Sequence, residues 1–341
     1  MVVASTLILR LSLICTVLVA SSAIDSANWM RQHMGLLGGR PLQRICIPGT
    51  HNSGMHTLNG GTAFAKTCNI LNQSQSIRRQ LEMGIRYFDI RPIISGGKFK
   101  TGHYSKIPGG LWQGGNGQFL DSIINDINDF TREHKELVIV HLSHALNTDV
   151  GKKYRSFNEE EWNRLFQLLE RTENLFFGPE NAYLPGYTLG QLTNNGNRAA
   201  VIYIVNDAGA KLGHRYGRGF FYWGNIQVYD RYADSDKVSS MSNDQFNKMK
   251  QESPRRYFLL SWTLTQKPFD ATTCPMGKSI SKLAKDANRN LHKILPEVSV
   301  AAYPNVISVD FVESLETSSS PESILDTMGI LGLKKLDSND N

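Results

Sequence analysis

The chain of 341 residues is long enough to bury a large core, either as one large domain or as two smaller ones. Its 40% hydrophobic and 20% charged residues are ordinary for a globular protein and exclude wholesale disorder. The formal net charge of +6 is modest and its basic residues are scattered, which suits an anionic membrane surface or a phosphate substrate. A nucleic-acid interface would need a basic patch, so no nucleic-acid partner is expected.

The first 23 residues are typical of a secretory signal peptide. An apolar run covers residues 7–20, and the small residues 21–23 then offer a cleavage site. The alternative is an N-terminal membrane anchor, but Arg10 divides the run below the roughly 20 residues that a membrane span requires. The signal is therefore favoured, and it predicts a secreted, extracellular protein.

The cysteines predict one disulfide. Cys15 lies in the signal, which leaves three cysteines for an oxidising compartment, hence one disulfide and one free thiol. Cys46 lies in an apolar run and is predicted to be a buried thiol, whereas Cys68 and Cys274 lie in polar loops and are the favoured pair. The sequon Asn72-Gln73-Ser74 is a candidate glycosylation site.

Hydrophobic patterns predict strands that alternate with helices along the chain. The predicted strands span residues 44–47, 85–94, 98–103, 137–142, 199–205, 219–228, 257–264 and 306–312. The predicted helices span residues 75–83, 119–135, 159–176, 244–251, 279–295 and 323–331. The glycine-rich stretch 109–117 is interpreted as a mobile loop at the rim of the fold. Its Trp112 either anchors the protein at a membrane interface or packs half-buried.

Near-continuous apolar strands between helices are typical of a parallel sheet that is covered by helices. Seven or eight such strands over about 270 residues match the ~250 residues of a (β/α)8 barrel. The predicted fold class is therefore α/β, a TIM-type (β/α)8 barrel, distorted or incompletely closed. An open doubly wound sheet is the alternative. No repeat or linker interrupts the pattern, so a single domain is predicted over residues 24–333, before a polar tail over 334–341.

Polar side chains follow several of the predicted strands, where the active sites of such barrels lie. Asp89 and Arg91 share one face of their strand, and closure of a barrel would bring Asp310 beside His51. Each residue alone has an ordinary structural explanation, such as a turn, an ion pair or a helix cap. Together they are costly to bury without a function. The candidate site residues are His51, Asn52, Asp89, Arg91, His103, Asp230, Tyr232 and Asp310.

Other motifs are weaker. His141 and His144 could line the site, although a core histidine with satisfied hydrogen bonds is the favoured interpretation. The chain has no His-x-x-x-His or paired-carboxylate spacing that would predict zinc. It also lacks the Gly-x-Ser-x-Gly motif of many serine hydrolases.

Three segments resemble the X-domain of phosphatidylinositol-specific phospholipase C in its bacterial, single-domain form. They are Pro48-Gly49-Thr50-His51-Asn52-Ser53, Gly84-Ile85-Arg86-Tyr87-Phe88-Asp89-Ile90-Arg91 and Gly102-His103. The resemblance implies a distorted barrel that cleaves the glycerol–phosphate bond of phosphatidylinositol-type lipids and gives diacylglycerol and cyclic inositol phosphate. It also implies an inositol phospholipid substrate and transient contact with a membrane surface, and a monomer is expected.

The resemblance also implies roles for individual residues. His51 resembles the general base and His103 the general acid. Arg91 resembles the phosphate-binding arginine that replaces calcium in the metal-free branch, and Asp310 resembles the acid that orients His51. These roles suit imidazole and guanidinium chemistry near neutral pH.

Among the remaining positions, two differ from the residues that related enzymes carry there. Asp230 and Tyr232 resemble the inositol contact and the stacking ring. The calcium-dependent branch carries acids at the positions of Arg91 and Ser143, so too few oxygen ligands are left for calcium, and metal independence without a cofactor is predicted. Asn52, taken as a substrate-binding residue, stands where the bacterial enzymes often carry an acid. Since an amide cannot raise the basicity of His103, either Asp89 takes that role or the general acid is weaker.

Two other functions compete with this hypothesis. One is a non-catalytic barrel that binds an inositol phosphate or a lipid, which the neutral side chain of Asn52 favours. The other is a barrel phosphodiesterase for another headgroup, whose relatives usually need magnesium and paired carboxylates. The sequence is equally compatible with free phosphatidylinositol and with a glycosylated lipid anchor.

Overall fold

The computed structural model describes residues 25–107, 109–151, 153–274 and 276–315. The predicted signal peptide, the predicted helix over 323–331 and the polar tail lie outside these residues. The strands are β1 Ile47–Thr50, β2 Tyr87–Ile90, β3 Pro92–Ser95, β4 Lys98–Lys106, β5 Trp112–Phe119, β6 Leu137–Ser143, β7 Leu146–Asn147, β8 Ala200–Asn206, β9 Phe220–Tyr222, β10 Val228–Asp230, β11 Tyr257–Trp262 and β12 Val306–Val309. The helices are α1 Trp29–Gln32, α2 Met34–Leu37, α3 Thr67–Ile70, α4 Ile77–Glu82, α5 Leu120–Glu133, α6 Glu159–Leu169, α7 Leu189–Thr193, α8 Val238–Glu252, α9 Pro268–Thr273 and α10 Ile280–Asn288.

Eight parallel strands form a curled sheet in the order β10-β11-β12-β1-β2-β6-β8-β9. The last strand in the chain, β12, pairs with the first strand, β1, so strands from the two ends of the chain lie side by side in the sheet. The sheet ends at β9 and β10, which do not pair with each other, and the barrel is open between them. The prediction of a distorted, incompletely closed (β/α)8 barrel is confirmed, and the doubly wound alternative is wrong.

A second sheet, in the order β5-β4-β3-β7, extends from the barrel beside β2. The predicted strand over 85–94 is in fact two strands, because Pro92 has no N–H with which to continue the barrel ladder. Gly96 and Gly97, both with positive φ, then form the two-residue turn between β3 and β4. This arm carries His103 on β4, next to the carboxyl ends of the barrel strands.

Two sequence predictions about strands are wrong. The stretch 109–117 is largely strand β5, and its glycines reflect close packing, since a Cβ at Gly114 would lie 2.3 Å from the His103 carbonyl oxygen. Trp112 on this strand is half-buried and stacks on Tyr154 with ring centroids 6.3 Å apart. The predicted strand over 219–228 is two short strands, separated by a 3-10 turn over Trp223–Asn225.

The long periodic helices are predicted best, and their ends least well. α4 and α5 lie within the predicted ranges, whereas α6 ends at Leu169, seven residues before the predicted end, and α8 begins at Val238 instead of residue 244. α10 ends at Asn288, and a 3-10 segment over Leu291–Glu297 follows it. None of the helices in the described part of the chain combines the length and apolar character that crossing a bilayer requires.

The inward faces of the barrel strands change from apolar to polar along their length. Near the amino ends, Tyr87, Ile139 and Ile202 belong to a buried apolar cluster inside the barrel. Near the carboxyl ends, the same faces carry Asp89 and His141, which are register partners on β2 and β6. The candidate site therefore lies on the carboxyl side of the barrel core.

Cys68 and Cys274 form a disulfide across 206 residues of sequence, and the predicted pairing is confirmed. Cys46 is a buried thiol outside the disulfide, as predicted. Burial raises the pKa of the Cys46 thiol to about 12, so this thiol is unreactive at neutral pH.

Candidate active site

His51 and Asp310 meet where β1 closes against β12. The His51 backbone N–H donates to the Val309 carbonyl at 3.0 Å and extends the parallel ladder by one residue. The side chains follow, and His51 Nδ1 donates to Asp310 Oδ1 at 2.9 Å. Closure of the barrel thus joins two residues that lie 259 positions apart in the sequence, as the fold prediction required.

Arg91 contacts the other nitrogen of the His51 ring. Its Nη2 donates to His51 Nε2 at 2.9 Å, and its Nε donates to Asp89 Oδ2 at 3.2 Å. Arginine can only donate, so Nε2 must be the unprotonated nitrogen and Nδ1 must carry the proton that Asp310 accepts. This tautomer directs the Nε2 lone pair of His51 toward the Arg91 guanidinium, an arrangement that suits a proton acceptor beside an anion.

Asp89 holds the arginine in place. Besides the bond to Arg91, its carboxylate accepts the Asn52 backbone N–H at 3.1 Å and the Ser143 hydroxyl at 3.2 Å. Burial alone would raise the pKa of Asp89, but the charge of Arg91 and the hydrogen bond from the Asn52 N–H outweigh it and hold the pKa well below its usual range. Asp89 is therefore ionised at neutral pH and fixes the orientation of the guanidinium.

His103 lies on β4 of the side sheet. Its Nδ1 donates to the Ile70 carbonyl at 2.9 Å, which leaves Nε2 as the nitrogen available for proton transfer. Burial lowers the pKa of His103 to about 4, the bond to Ile70 acts in the opposite direction, and the nearby charge of Arg91 lowers it further. His103 is thus neutral at pH 7 in the free protein. Asp89 bonds to Arg91, and the acceptor of His103 Nδ1 is the Ile70 carbonyl instead of a carboxylate.

Asp230 ends β10 across the mouth of the barrel. Solvent reaches its side chain, but the surrounding protein reduces its hydration. This desolvation, followed by repulsion from Asp89, raises the pKa of Asp230 to about 6. Tyr232 is 60% exposed, and its backbone carbonyl accepts a hydrogen bond from Lys248 at 3.2 Å. Asp230 is therefore electrostatically part of the site, whereas Tyr232 stands at its edge.

Asn52 points away from the open crevice. It has a positive φ of 45° directly after His51, and its buried amide donates to the Asn72 side chain at 3.0 Å. Asn72 in turn donates to Asp310 at 3.0 Å and is only 2% exposed. A glycan on this sequon is incompatible with the fold, since the asparagine side chain is buried and bonded.

Asn72 and Gln73 are site residues that the sequence reasoning missed. The Gln73 amide donates to the His51 carbonyl at 2.9 Å and to the Val309 carbonyl at 3.0 Å, so it fixes the backbone that presents His51. The sequence signal was a polar Asn-Gln-Ser triplet, which is as common in exposed loops. Only the apolar Ile70 and Leu71 just before it pointed to burial.

His141 and His144, the two further histidines considered in the sequence analysis, differ in their hydrogen bonding. His141 is buried against the Trp223 ring, and neither of its ring nitrogens has a hydrogen-bond partner among the described residues, so the interpretation as a satisfied core histidine is wrong. Burial lowers the pKa of His141 to about 4. His144 donates to the Ser143 hydroxyl at 2.8 Å, which extends the network around Asp89 outward.

A cavity of about 160 Å³ opens beside Arg91, between the barrel mouth and the side sheet. Arg91 and His144 give it polar groups, and Tyr104, Trp112 and Leu146 give it apolar ones. Within the described ranges, no three His, Cys, Asp or Glu side chains gather in a way that could hold a metal ion. The positive charge next to His51 is that of the Arg91 guanidinium.

In sequence, the chain resembles known proteins over part of its length. No protein-family model matches the chain. Two 1-phosphatidylinositol phosphodiesterases of Staphylococcus aureus, from strains Newman and NCTC 8325, are each 29% identical over 157 residues, or 46% of this chain. The match spans 45% and 43% of those two proteins, so it covers less than half the length of the curated relatives.

Solved structures give a longer match. A single-site mutant of the phosphatidylinositol-specific phospholipase C from Staphylococcus aureus has a TM-score of 0.60 at 19% identity, over 93% of this chain and 97% of that one. The phosphatidylinositol-specific phospholipase C from Listeria monocytogenes has a TM-score of 0.59 at 17% identity, over 89% and 98%. The resemblance inferred from the sequence is thereby confirmed: the chain is similar to bacterial phosphatidylinositol-specific phospholipase C, in sequence over 157 residues and in fold over 93% of its length.

Proposed function

We propose that the protein cleaves the glycerol–phosphate bond of phosphatidylinositol-type lipids by attack of the inositol 2-hydroxyl on phosphorus. The observation that carries the proposal is the state of His51, whose Nδ1 donates to Asp310 while its Nε2 faces Arg91. A neutral, oriented imidazole beside a guanidinium is what deprotonation of a hydroxyl next to a phosphate requires. The products would be diacylglycerol and cyclic inositol phosphate.

His51 is the proposed general base. When the substrate phosphate draws Arg91 toward its oxygens, Nε2 of His51 becomes free to accept the proton of the 2-hydroxyl. The attack takes place within one molecule, and such an arrangement can supply up to about 7–11 kcal/mol of the barrier in well-oriented cases. The proton on Nδ1 stays on the imidazole ring and is hydrogen-bonded to Asp310 throughout, and the carboxylate stabilises the imidazolium that forms.

Arg91 is the proposed phosphate clamp. Its planar fork can bond two phosphate oxygens and stabilise the charge that builds up on them. Asp89 and the groups bonded to it set the orientation of that fork before the substrate arrives. A fixed cation at this position is the basis for proposing that the reaction needs no added metal.

His103 is the proposed general acid, which protonates the departing glycerol oxygen. Its pKa of about 4 in the free protein is too low for an acid at pH 7. A bound phosphodiester brings a negative charge next to it, and an adjacent anion raises the pKa of an imidazole. Protonation of His103 is therefore proposed to accompany substrate binding. Asp230 and Tyr232 are proposed to contact the inositol ring from the opposite side of the mouth.

The rim at the carboxyl side of the barrel is proposed to contact a lipid surface. Phe64, Phe269 and Met276 are 74%, 75% and 90% exposed, in the connections that follow β1 and β11 at the carboxyl side of the barrel. The disulfide between Cys68 and Cys274 joins these two connections. A solved structure of the Staphylococcus aureus relative concerns modulation of its membrane binding. Secretion, a single domain and a monomeric state remain predictions from the sequence.

The test is turnover of phosphatidylinositol in detergent micelles, with and without excess chelator. The protein is expected to release cyclic inositol phosphate in both conditions, and His51→Ala and His103→Ala are each expected to lose about 10²–10⁴-fold in kcat. His214→Ala is the matched control, since His214 is exposed and remote from the site, and it should keep full activity. Activity that survives both site substitutions would contradict the mechanism. Binding of inositol phosphate without any turnover would favour the non-catalytic alternative, and chelator-sensitive turnover would contradict metal independence.

A further inference from the structure

Asn72 is built into the same corner of the fold as the His51–Asp310 pair. Its backbone N–H donates to the Met55 carbonyl at 3.1 Å, and its carbonyl accepts the Phe311 N–H at 2.7 Å. Phe311 directly follows Asp310, so the backbone of Asn72 is joined to the residue next to the carboxylate. With 2% of its surface exposed, Asn72 has no freedom to turn toward solvent.

The side chain of Asn72 completes the hydrogen bonding of Asp310. Its Nδ2 donates to Asp310 Oδ1 at 3.0 Å, and this is the same oxygen that accepts the proton of His51 Nδ1 at 2.9 Å. Asp310 is only 3% exposed, and a buried carboxylate is costly unless donors surround it. The second donor fixes the position of the oxygen that accepts from His51, so Asn72 aligns the carboxylate with the imidazole ring.

Asn52 fixes the orientation of Asn72. The two ends of an asparagine amide have opposite hydrogen-bonding character, and only the nitrogen end can stabilise a carboxylate. The Asn72 Oδ1 accepts from Asn52 Nδ2 at 3.0 Å, which turns the Asn72 nitrogen toward Asp310. The two amides and the carboxylate thus form a directed chain, Asn52 to Asn72 to Asp310, that ends at the ring of His51.

We propose that Asn72 is a positioning residue that holds the Asp310 carboxylate in line with His51, and that Asn52 acts through Asn72 instead of contacting the substrate. The proposal rests on the proposed function for its kinetic consequences. It accounts for the amide directly after His51: at this position a donor that orients a second amide replaces the acid of the bacterial enzymes. Neither residue is a catalytic residue, because neither touches the reacting atoms.

The kinetic test compares Asn72→Ala with wild type on phosphatidylinositol in detergent micelles. Loss of a hydrogen bond to a charged group is expected to lower kcat about 10- to 100-fold with little change in KM. Without its second donor, Asp310 Oδ1 shares its negative charge with His51 Nδ1 alone, and the His51–Asp310 hydrogen bond strengthens when the ring carries a positive charge. The acid limb of the kcat/KM profile should therefore move to higher pH. Ser74→Ala is the matched control, since it removes the same sequon, leaves Asn72 in place and changes an exposed side chain.

A double-mutant cycle makes the test robust to poor folding. Asn52→Ala should lower kcat less than Asn72→Ala, and the double variant should be no worse than Asn72→Ala alone. Effects that add independently would contradict the chain from Asn52 to Asn72.

A spectroscopic readout separates this proposal from the proposed function. The proton on His51 Nδ1, shared with Asp310, should give a downfield NMR resonance in the wild-type protein without any substrate. We expect this resonance to shift or broaden in Asn72→Ala and to remain unchanged in Ser74→Ala. If wild type shows the resonance but no turnover, the proposed function fails and the positioning role is still tested. A resonance and a kcat in Asn72→Ala that equal those of Ser74→Ala would overturn the proposal.

Discussion

His51 and His103 both donate a hydrogen bond from Nδ1, but to acceptors of different charge. His51 donates to the carboxylate of Asp310, which would stabilise the imidazolium formed in its proposed role as general base. His103 donates to the Ile70 carbonyl, a neutral acceptor, in a buried position near the positive charge of Arg91. The two rings thus donate to acceptors of different charge, and in the proposed mechanism the substrate phosphate supplies the negative charge that His103 lacks.

This contrast predicts two different pH profiles. His103 has a pKa of about 4 in the free protein, below the ordinary histidine value, so its protonated form is lost as pH rises through that value. A bound phosphate anion raises the pKa, so the limb that requires protonated His103 should lie at higher pH in kcat than in kcat/KM. Steady-state kinetics between about pH 4 and pH 8 measure both limbs. Limbs that coincide would mean that substrate binding does not assist protonation of His103.

Part of the site could be predicted from the sequence alone. The difference between the residues that could be predicted and those that could not has a physical cause. His51, Arg91 and Asp310 follow apolar strands, and the closure of a barrel dictates that the first and last strands meet. Asn72 and Gln73 lie in a connection without periodicity, where a polar triplet has the same composition whether it is buried or exposed. Their hydrogen bonds to Asp310 and His51 depend on the path of the loop, which the sequence pattern does not encode.

The connection between β1 and α4 links the rim of the barrel to the site. Within about one turn of α3 it carries Cys68 of the disulfide and Ile70, which bonds His103, and Asn72 follows. Lys66 Nζ also donates to the Cys274 carbonyl at 3.1 Å, and Asn69 Nδ2 to the Ala271 carbonyl at 3.0 Å. The disulfide therefore holds an element on which both histidines depend.

Removal of the disulfide is expected to lower both stability and the order of this connection. Cys68→Ser/Cys274→Ser should lose about 2–4 kcal/mol of unfolding free energy, since the bond closes a long loop. Thermal unfolding with and without reductant measures this loss. Reductant should lower the Tm of the wild type to that of the double variant and leave the double variant unchanged. A wild-type Tm that is insensitive to full reduction would contradict the assigned role.

Among the elements, those with a strong period were predictable and those that depend on neighbours were not. α5 has one apolar face over 14 residues, and β6 is buried throughout and begins with an apolar run over residues 137–140, so each is specified locally. β5 contains glycines that normally indicate a loop, but here they allow close contact with β4. The division of 219–228 into two short strands accompanies the opening of the barrel between β9 and β10, a property of the whole sheet.

At the scale of the molecule, a buried ion pair and the candidate active site lie at opposite ends of the barrel. At the amino ends of the strands, Arg86 and Glu136 form a fully buried ion pair. Glu136 also accepts the backbone N–H groups of Met30 at 3.2 Å and Arg31 at 2.8 Å, which fastens α1 to the barrel. Burial lowers the pKa of Arg86 and raises that of Glu136, so direct hydrogen bonds must offset the desolvation of the pair.

Glu136→Gln is therefore expected to destabilise the fold without changing the chemistry. It leaves Arg86 as an unpaired buried charge, at a cost of about 3–5 kcal/mol, which chemical denaturation can measure. Glu133→Gln is the control, since Glu133 is exposed and solvent screens its ion pair with Arg78, so little loss of stability is expected. The kcat of folded Glu136→Gln should equal that of wild type well below its Tm. A large loss of kcat there would show that the two ends of the barrel are coupled.

The most direct test of the central claim is the order in which products appear in a phosphorus NMR time course. Phosphatidylinositol in detergent micelles, with the protein and excess chelator, should first give the resonance of a five-membered cyclic inositol phosphate. Any acyclic inositol phosphate should appear later, because attack by the 2-hydroxyl precedes attack by water. Acyclic inositol phosphate that appears at once without the cyclic species, or a substrate resonance that does not decay, would contradict the account.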